Sequence, residues 1–309
     1  SNVPVNFAYS LVSGLLSGNT NIIKIPSKNF EQIEIIIEAI NKNSIDLNSD
    51  VSKRVIIISY EHEGSNITNE LSSLCDLRVI WGGDNTVNEI RSSALLPRST
   101  DLTFADRYSI CAINADCFVD EKEIDSLIKG FYNDTYLFDQ NACTSPHLVA
   151  WVGSKKNVKK AQEVFWGGLH NHVKEKYNLQ SIQSIDKITT FYDQSIEMEG
   201  IQLSPSKDNY LWRIKLRTLD ESIENFRCNG GYFAEIHLNS IYDLNSSINK
   251  KYQTLAYYGF DLRELEDFMK LTTPRGIDRV VPIGKTMDFS LLWDGYDLIK
   301  TLSRTVEII

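Results

Sequence analysis

Short β-branched runs alternate with amphipathic stretches along the first hundred residues. The runs predict strands at 21–25, 54–59 and 77–81, and the stretches between them predict helices at 29–41 and 66–74. In the first helix, Ile33, Ile36 and Ile40 recur at helical spacing and mark one apolar face. This order of strand, helix and strand favours a parallel sheet with crossover helices, which is typical of a dinucleotide-binding domain.

The alternation of predicted strands and helices changes after residue 100. We predict strands at 108–113, 148–152, 232–238 and 280–283, and helices at 120–132, 158–177 and 262–271. The polar stretch 181–207 predicts an irregular or small-strand insertion. The fold class is therefore α/β, and we divide the chain into a first domain at 1–104, a second at 105–290 and a C-terminal segment at 291–309.

Composition narrows the class of protein. A length of 309 residues suits two α/β domains, and 42% hydrophobic with 24% charged residues is ordinary for globular proteins. No apolar run approaches the roughly 18 residues of a membrane span, and a net charge of -9 without a basic tract argues against nucleic-acid binding. The chain opens on SNVPVNF without Met or a signal-like segment, so we expect an N-terminal portion to be missing.

Five irregularly spaced cysteines form neither a disulfide framework nor a metal knuckle, which predicts reduced thiols in a cytoplasmic protein. Cys143 lies in FDQNACTSPH, a turn-forming segment between a predicted helix and a predicted strand. A thiolate there would be a nucleophile able to form thioesters. Lone cysteines are more often small buried core residues, so the local sequence alone leaves Cys143 one candidate among five.

A Gly-Gly turn follows the predicted strand at 77–81. In WGGDNTV, Gly82 and Gly83 would let backbone N–H groups of a starting helix approach a diphosphate, with Asp84 as the helix N-cap. A plain turn is the alternative reading.

Several blocks, in order, resemble one family. They are SNVPVNFAYSLVSGLLSGNTNIIKIPSKNF, VIWGGDNTVNEIRSSALLPRSTDLTFADRYS, LFDQNACTSPHLVAW and RGIDRVVPIGKTMDFSLLWDGYDLI. They are similar to the acyl-CoA reductase family of LuxC, the fatty acyl reductase of bacterial bioluminescence, within the aldehyde dehydrogenase superfamily. The resemblance covers nearly the whole chain. It implies an aldehyde-dehydrogenase-like fold, in which a Rossmann-like cofactor domain, here partial, precedes an α/β catalytic domain.

The resemblance implies roles for individual residues. Cys143 matches the nucleophile, and Asn2 of Asn-Val-Pro matches the amide donor that stabilises the oxyanion, with Asn6 a poorer second choice because no Pro follows it at the needed spacing. Gly82 and Gly83 match the diphosphate contact.

Lys24, Ser27 and Lys28 match the segment that holds the adenosine ribose. Enzymes that prefer NAD often carry a carboxylate there, whereas Lys28 stands in its place and suits a 2′-phosphate, so we predict NADPH as the cofactor. The alternative is an exposed lysine pair at a helix start.

Two departures from the wider superfamily bear on the direction of the reaction. Oxidising members carry a water-activating Glu in the segment matching 102–106, which here contains none, and this favours a reductase. The Glu that usually holds the nicotinamide ribose is also missing near Phe233, and whether Glu235 replaces it stays open.

Three histidines are candidates for a chemical role. His147 either protonates an oxyanion or tunes the thiolate, or it is a structural residue at a strand start. His170 and His172 are two apart on a predicted helix, so their rings diverge and no metal site is expected.

These readings combine into one prediction: reduction of a fatty acyl thioester, from CoA or a protein, to an aldehyde with NADPH through acyl-Cys143. By resemblance, an acyl-protein synthetase partner and a homo-oligomer are expected. The alternatives are an oxidative aldehyde dehydrogenase and a degenerate nucleotide-binding scaffold.

Overall fold

The structure is a computed structural model that describes residues 5–26, 30–46, 50–61, 65–118, 121–204 and 206–309. Its contacts divide the chain into two compact units. Unit 1 comprises Ser1–Asp106 and Phe289–Ile309, and unit 2 comprises Arg107–Asp288.

Unit 1 begins with alternating helices and strands. In order they are α1 (Asn6–Leu16), β1 (Asn21–Lys24), α2 (Glu31–Asp46), β2 (Val55–Ile58), α3 (Ser65–Leu74), β3 (Leu77–Trp81), α4 (Asp84–Arg91) and β4 (Thr100–Phe104). Strand β1 pairs in parallel with β2, and β3 pairs in parallel with β4. The apolar faces of α1 and α2 meet β1 in a small core that includes Phe7, Ile23 and Ile33. Because these faces are buried, they require apolar residues at regular spacing, and this is why the sequence pattern predicted the elements.

Unit 2 is built around a seven-stranded sheet. Its elements are β5 (Tyr108–Asn114), α5 (Glu121–Thr135), β6 (Pro146–Val152), α6 (Lys155–Lys176), α7 (Ser181–Glu197), β7 (Gln202–Leu203), β8 (Trp212–Lys215), β9 (Tyr232–Leu238), β10 (Tyr252–Tyr258), α8 (Leu262–Thr272) and β11 (Arg279–Pro282). The strand order is β11-β10-β5-β6-β9-β8-β7, and all pairs are parallel except β7 with β8.

The central strands β5 and β6 are buried on both faces. Ile110 and Ala112 point into one core and Cys111 and Ile113 into the other, as alternation along a strand requires. Both strands therefore read as nearly continuous apolar runs, which is the pattern of a covered parallel sheet.

The last elements are β12 (Leu292–Trp293), β13 (Tyr296–Asp297) and α9 (Leu298–Thr301). They complete the core of unit 1, where Trp293 and Leu298 pack with Leu102 and Phe104 of β4.

The predicted strands and helices agree with the structure to within a few residues. For 181–207, the small strand is present as β7, but the prediction of irregular structure was wrong for the first 17 residues. That stretch begins with the 17-residue helix α7. Its buried side chains are the polar Gln183, Lys187 and Gln194, whereas most of its apolar side chains are exposed, which reverses the usual arrangement of a surface helix. Among the described residues, no helix is both long and apolar enough to cross a membrane.

Candidate active site

Cys143 lies in a tight turn at the amino end of β6. A 3-10 turn at Tyr136–Phe138 follows α5, and a second turn closes where the Ser145 N–H donates to the Ala142 carbonyl over 2.9 Å. Cys143 is the first of the two central residues of that turn, and it is half-buried. The thiol is therefore presented on a turn whose flanking elements are both anchored in unit 2.

Buried hydroxyl groups hold the backbone of this turn. Ser109 Oγ of β5 donates to the Cys143 carbonyl over 2.6 Å, and Ser145 Oγ donates to the Asp134 carbonyl over 2.8 Å. Thr144 Oγ1 lies 3.1 Å from Met287 Sδ. Because the residues on both sides of Cys143 are fixed in this way, its backbone position is set before any substrate arrives.

Gln140 ties the segment before Cys143 to the start of β9. The backbone at Asp139 and Gln140 is left-handed, with φ of 52° and 61°, and this turns the Gln140 side chain inward, where only 2% of the residue is exposed. Its Nε2 donates to the carbonyls of Pro146 and Tyr232, and its Oε1 accepts from the N–H groups of Gly231 and Tyr232, all within 3.0–3.2 Å. The side-chain amide of Gln140 thus links the amino ends of β6 and β9, which is the end of the sheet where Cys143 lies. No sequence motif marks Gln140 for this role, although it lies in the FDQNAC block beside Cys143.

We expect Gln140→Leu to destabilise the protein by about 3–5 kcal/mol, because it leaves several buried backbone groups without partners at about 1–3 kcal/mol each. The measurement is the free energy of unfolding in urea. Asn141→Ala, at the exposed neighbouring position, is the matched control and should change stability by less than about 0.5 kcal/mol. Equal effects of the two substitutions would show that Gln140 does not hold the loop.

The other thiols differ from Cys143 in their surroundings. Cys111 and Cys228 are buried, and burial raises the pKa of each thiol. Burial likewise raises the pKa of Cys75. Cys117 is exposed but lies at the other end of β5 from Ser109. Of the five cysteines, only Cys143 is both partly accessible to solvent and located on a fixed turn at the amino ends of the sheet strands.

His147 is buried beneath the loop. Burial, and then the charge of Arg227, lowers the pKa of His147 to about 3, while the hydrogen bond to the Gln140 backbone acts in the opposite direction. The ring stacks on Tyr108 with centroids 5.7 Å apart. The imidazole is therefore uncharged at neutral pH, an arrangement that favours the structural alternative over proton donation.

Asp134, which the sequence patterns did not single out, is a buried carboxyl beside the same loop. It accepts the N–H of Gly284 over 2.6 Å and that of Thr286 over 3.1 Å. Burial raises the pKa of Asp134 to about 6, although these bonds lower it in part. The loop thus carries no charge from Asp134 at acidic pH and gains a buried negative charge above pH 6.

In unit 1 the Gly-Gly turn connects β3 to α4. The N-cap of α4 is Gly83, with φ of −67° and no side-chain cap, so the prediction that Asp84 is the N-cap was wrong; Asp84 is the first helical residue. No heavy atom lies within 4 Å of the position that a Cβ on Gly83 would take. This open, uncapped helix start suits an anionic diphosphate, because its amides and dipole favour negative charge.

Of the remaining predicted cofactor residues, the structure describes Lys24, the last residue of β1. Lys24 is exposed, and its Nζ lies 4.1 Å from the centroid of the Tyr60 ring. Ser27 and Lys28, like the predicted oxyanion donor Asn2, lie outside the described residues.

Glu235 does not present its carboxylate to a ligand. Only 1% of the residue is exposed. Its Oε2 accepts from Trp166 Nε1 over 2.9 Å and from Gln162 Nε2 over 3.0 Å, and Arg213 lies 3.5 Å from Oε1. A ribose could be bound only by displacing these internal partners, so Glu235 is a structural residue of unit 2.

The two histidines of α6 have separate neighbours. His170 Nε2 lies 2.9 Å from Asp208, and the His172 ring meets Tyr132 edge-on. No group of three or more His, Cys, Asp or Glu suited to a metal ion occurs in the part of the chain that the structure describes.

Comparison with known proteins identifies the family. A family model for acyl-CoA reductases (LuxC) matches residues 1–305. The long-chain acyl-protein thioester reductase of Vibrio harveyi is 22% identical over 317 residues, which covers 100% of this chain but 62% of that protein. The chain thus spans less than two thirds of that relative's length.

Two solved structures share the fold. One, from Sinorhizobium meliloti, is assigned as a methylmalonate-semialdehyde dehydrogenase complexed with NAD; it is 13% identical, with a TM-score of 0.64 over 96% of this chain and 65% of its own. The other, an NADP-dependent enzyme of Escherichia coli, is 12% identical, with a TM-score of 0.60 over 92% of this chain and 60% of its own. The fold is that of the aldehyde dehydrogenases, and with the family match this places the chain in the LuxC acyl-CoA reductase family.

Proposed function

We propose that the protein reduces a fatty acyl thioester to an aldehyde through an acyl-cysteine at Cys143, using NADPH. The observation that carries the proposal is the half-buried thiol on a turn held by Ser109, Gln140 and Ser145, in a chain of an acyl-CoA reductase family. The name of the Vibrio harveyi relative, an acyl-protein thioester reductase, supports the same reaction class.

The first step is acyl transfer. The Cys143 thiolate attacks the carbonyl carbon of the acyl thioester, the bond from that carbon to the donor sulfur breaks, and the departing thiolate takes a proton from water. Asn2 is assigned to stabilise the oxyanion through its side-chain amide. The fixed turn lowers the cost of this step, because the Cys143 backbone needs no rearrangement.

The second step releases the product. A nicotinamide cofactor, when bound, would supply the hydride that reduces the acyl carbon. Collapse of the resulting oxyanion breaks the bond from that carbon to Cys143 Sγ, giving the aldehyde and the thiolate again. We assign cofactor binding to Lys24, Ser27, Lys28, Gly82 and Gly83, of which the open helix start at Gly83 fits a diphosphate.

Intact-mass spectrometry after incubation with acyl-CoAs of graded chain length, without cofactor, tests the proposal. We expect one acyl group per chain, mapped by peptide analysis to Cys143, and the extent of labelling against chain length reports substrate preference. Labelling at Cys117 alone, or none at any chain length, would refute the acyl-cysteine.

We expect kcat/KM to be at least about tenfold higher with NADPH than with NADH, because a lysine ammonium on a phosphate forms a strong charge-assisted hydrogen bond. Steady-state kinetics with both cofactors measure the ratio. Lys28→Glu should reverse it, whereas Lys42→Glu, at an exposed position of α2, should leave it unchanged. A wild-type preference for NADH would end the assignment of Lys28.

Two alternative functions remain to be separated from this proposal by experiment. An oxidative aldehyde dehydrogenase would yield a carboxylate, and product analysis separates it from a reductase; the absence of Glu from 102–106 argues against it. A nucleotide-binding scaffold is favoured by the internal position of Glu235, which leaves the nicotinamide ribose without an assigned carboxylate. Calorimetric binding of cofactor without acyl labelling would support the scaffold.

The acyl donor and partners follow from family membership and not from any residue contact. We assign the donor to the class of acyl-CoA or acyl-protein thioesters, and we expect an acyl-protein-forming synthetase and a homo-oligomer as partners, in the cytoplasm.

A further inference from the structure

Helix α7 exposes apolar side chains to solvent and buries polar ones, which is the reverse of an ordinary surface helix. Five large apolar side chains face solvent along it, and each is more than a third exposed: Ile182 56%, Ile185 59%, Ile188 41%, Tyr192 59% and Ile196 83%. Their spacing of three or four residues puts them on one continuous stripe, here called the α7 face. Exposed apolar surface of this extent marks interaction sites in soluble proteins.

Buried polar side chains fix the rotation of the helix and so keep the stripe outward. Lys187, with none of its surface exposed, donates from Nζ to the carbonyls of Asn209 and Gly230. Gln194 Oε1 accepts from the Tyr232 hydroxyl over 2.7 Å, and Gln183 Nε2 donates to the Tyr177 hydroxyl over 2.7 Å. Turning the stripe inward would break all of these bonds and leave a buried ammonium without acceptors, which is costly.

The charges beside the α7 face are acidic. Asp186, Asp193 and Glu197 are the carboxylates of the helix, and its only lysine, Lys187, is buried. Glu199 adds a further exposed carboxylate just past the end, where the helix dipole is also negative. One cation, Arg217, packs beside Gly200 just beyond the end of the helix.

This charge pattern selects among possible occupants. A second copy of the same face would set carboxylates against carboxylates, which opposes an isologous contact. An anionic lipid surface is repelled for the same reason. A protein surface with apolar side chains bordered by Lys or Arg satisfies both the stripe and its acidic border.

We propose that the α7 face docks a partner protein through an apolar helix bordered by basic residues. The docking proposal does not depend on the chemistry assigned to Cys143, so it can be tested separately from the proposed reaction.

The test uses the complete protein and two fluorescent helical peptides of about five turns, with leucines on one face bordered by lysines in one peptide and by glutamates in the other. Anisotropy titrations should show at least about tenfold tighter binding of the lysine peptide. Ile185→Ser/Ile196→Ser should weaken that binding by about tenfold or more. Asp193→Asn/Glu197→Gln should weaken it and reduce its dependence on salt.

Leu262→Ser/Leu271→Ser is the matched control, because both leucines are exposed on α8. It should bind the lysine peptide as the wild type does. Equal binding of the two peptides, or no effect of the α7 substitutions, would overturn the proposal. The proposal would also be overturned if the wild type were a dimer in sedimentation and the Ile185→Ser/Ile196→Ser variant a monomer. Binding of the wild type, but not of this variant, to vesicles of equal phosphatidylglycerol and phosphatidylcholine would overturn it as well.

Discussion

Replacing Cys143 with alanine is expected to lower acyl-CoA-dependent NADPH oxidation by about 10⁴-fold or more, which is the order of loss when an enzyme loses its covalent nucleophile. The methyl group of alanine cannot form the thioester, and no other thiol takes its place. Cys111 and Cys228 are buried, with their pKa values raised, and Cys117 lies at the opposite end of β5. The measurement is the loss of NADPH absorbance with and without acyl-CoA.

Two companion variants separate chemistry from folding. Cys117→Ala removes the exposed thiol and is expected to keep the wild-type rate. Cys143→Ala should keep the wild-type free energy of unfolding within about 1 kcal/mol, since the side chain is small and half-buried. A folded Cys143→Ala protein that still oxidises NADPH when acyl-CoA is added would remove Cys143 from the mechanism.

The location of the nucleophile illustrates what the sequence could not supply by pattern alone. In open parallel sheets, ligands are expected at the carboxyl ends of the strands. Cys143 instead precedes β6, beside the amino ends of β5 and β9. Only the resemblance of its block to a known family pointed to it, whereas strand order would have directed attention to the other edge.

Local patterns predicted those elements whose buried side is apolar. The strand at 232–238 was predicted with the bounds that β9 has. Helix α7 was missed although its apolar residues recur at helical spacing, because the polar composition of the stretch indicated irregular structure. Which of its two sides is buried could not be predicted from the sequence, since here the polar side faces inward. Three of the four hydrogen bonds of Gln140 were unpredictable for a different reason: their partners in Gly231 and Tyr232 lie 91 and 92 residues away in the chain.

Gly231 is expected to tolerate a side chain poorly. Its backbone has φ of +93°, and a Cβ there would lie 2.2 Å from the Tyr136 hydroxyl and 2.5 Å from the Tyr210 carbonyl. A left-handed non-glycine residue costs about 1–3 kcal/mol, and overpacking against backbone adds a similar amount or more. Gly231→Ala should therefore lower the free energy of unfolding by at least about 4 kcal/mol, measured by urea denaturation.

Two other glycines of unit 2 separate the contributions to this effect. Gly200 has φ of +76° and only a 3.2 Å approach to the flexible Arg217 side chain, so Gly200→Ala should show the conformational cost alone, about 1–2 kcal/mol. Gly167 lies in α6 with nothing within 4 Å, and Gly167→Ala should stabilise by up to about 1 kcal/mol, the helix propensity difference. If Gly231→Ala lowered the free energy of unfolding no more than Gly200→Ala does, the Tyr210 carbonyl would have to move aside at little cost. The start of β9, to which Gln140 ties the Cys143 loop, would then be less rigid than the fixed-turn mechanism requires.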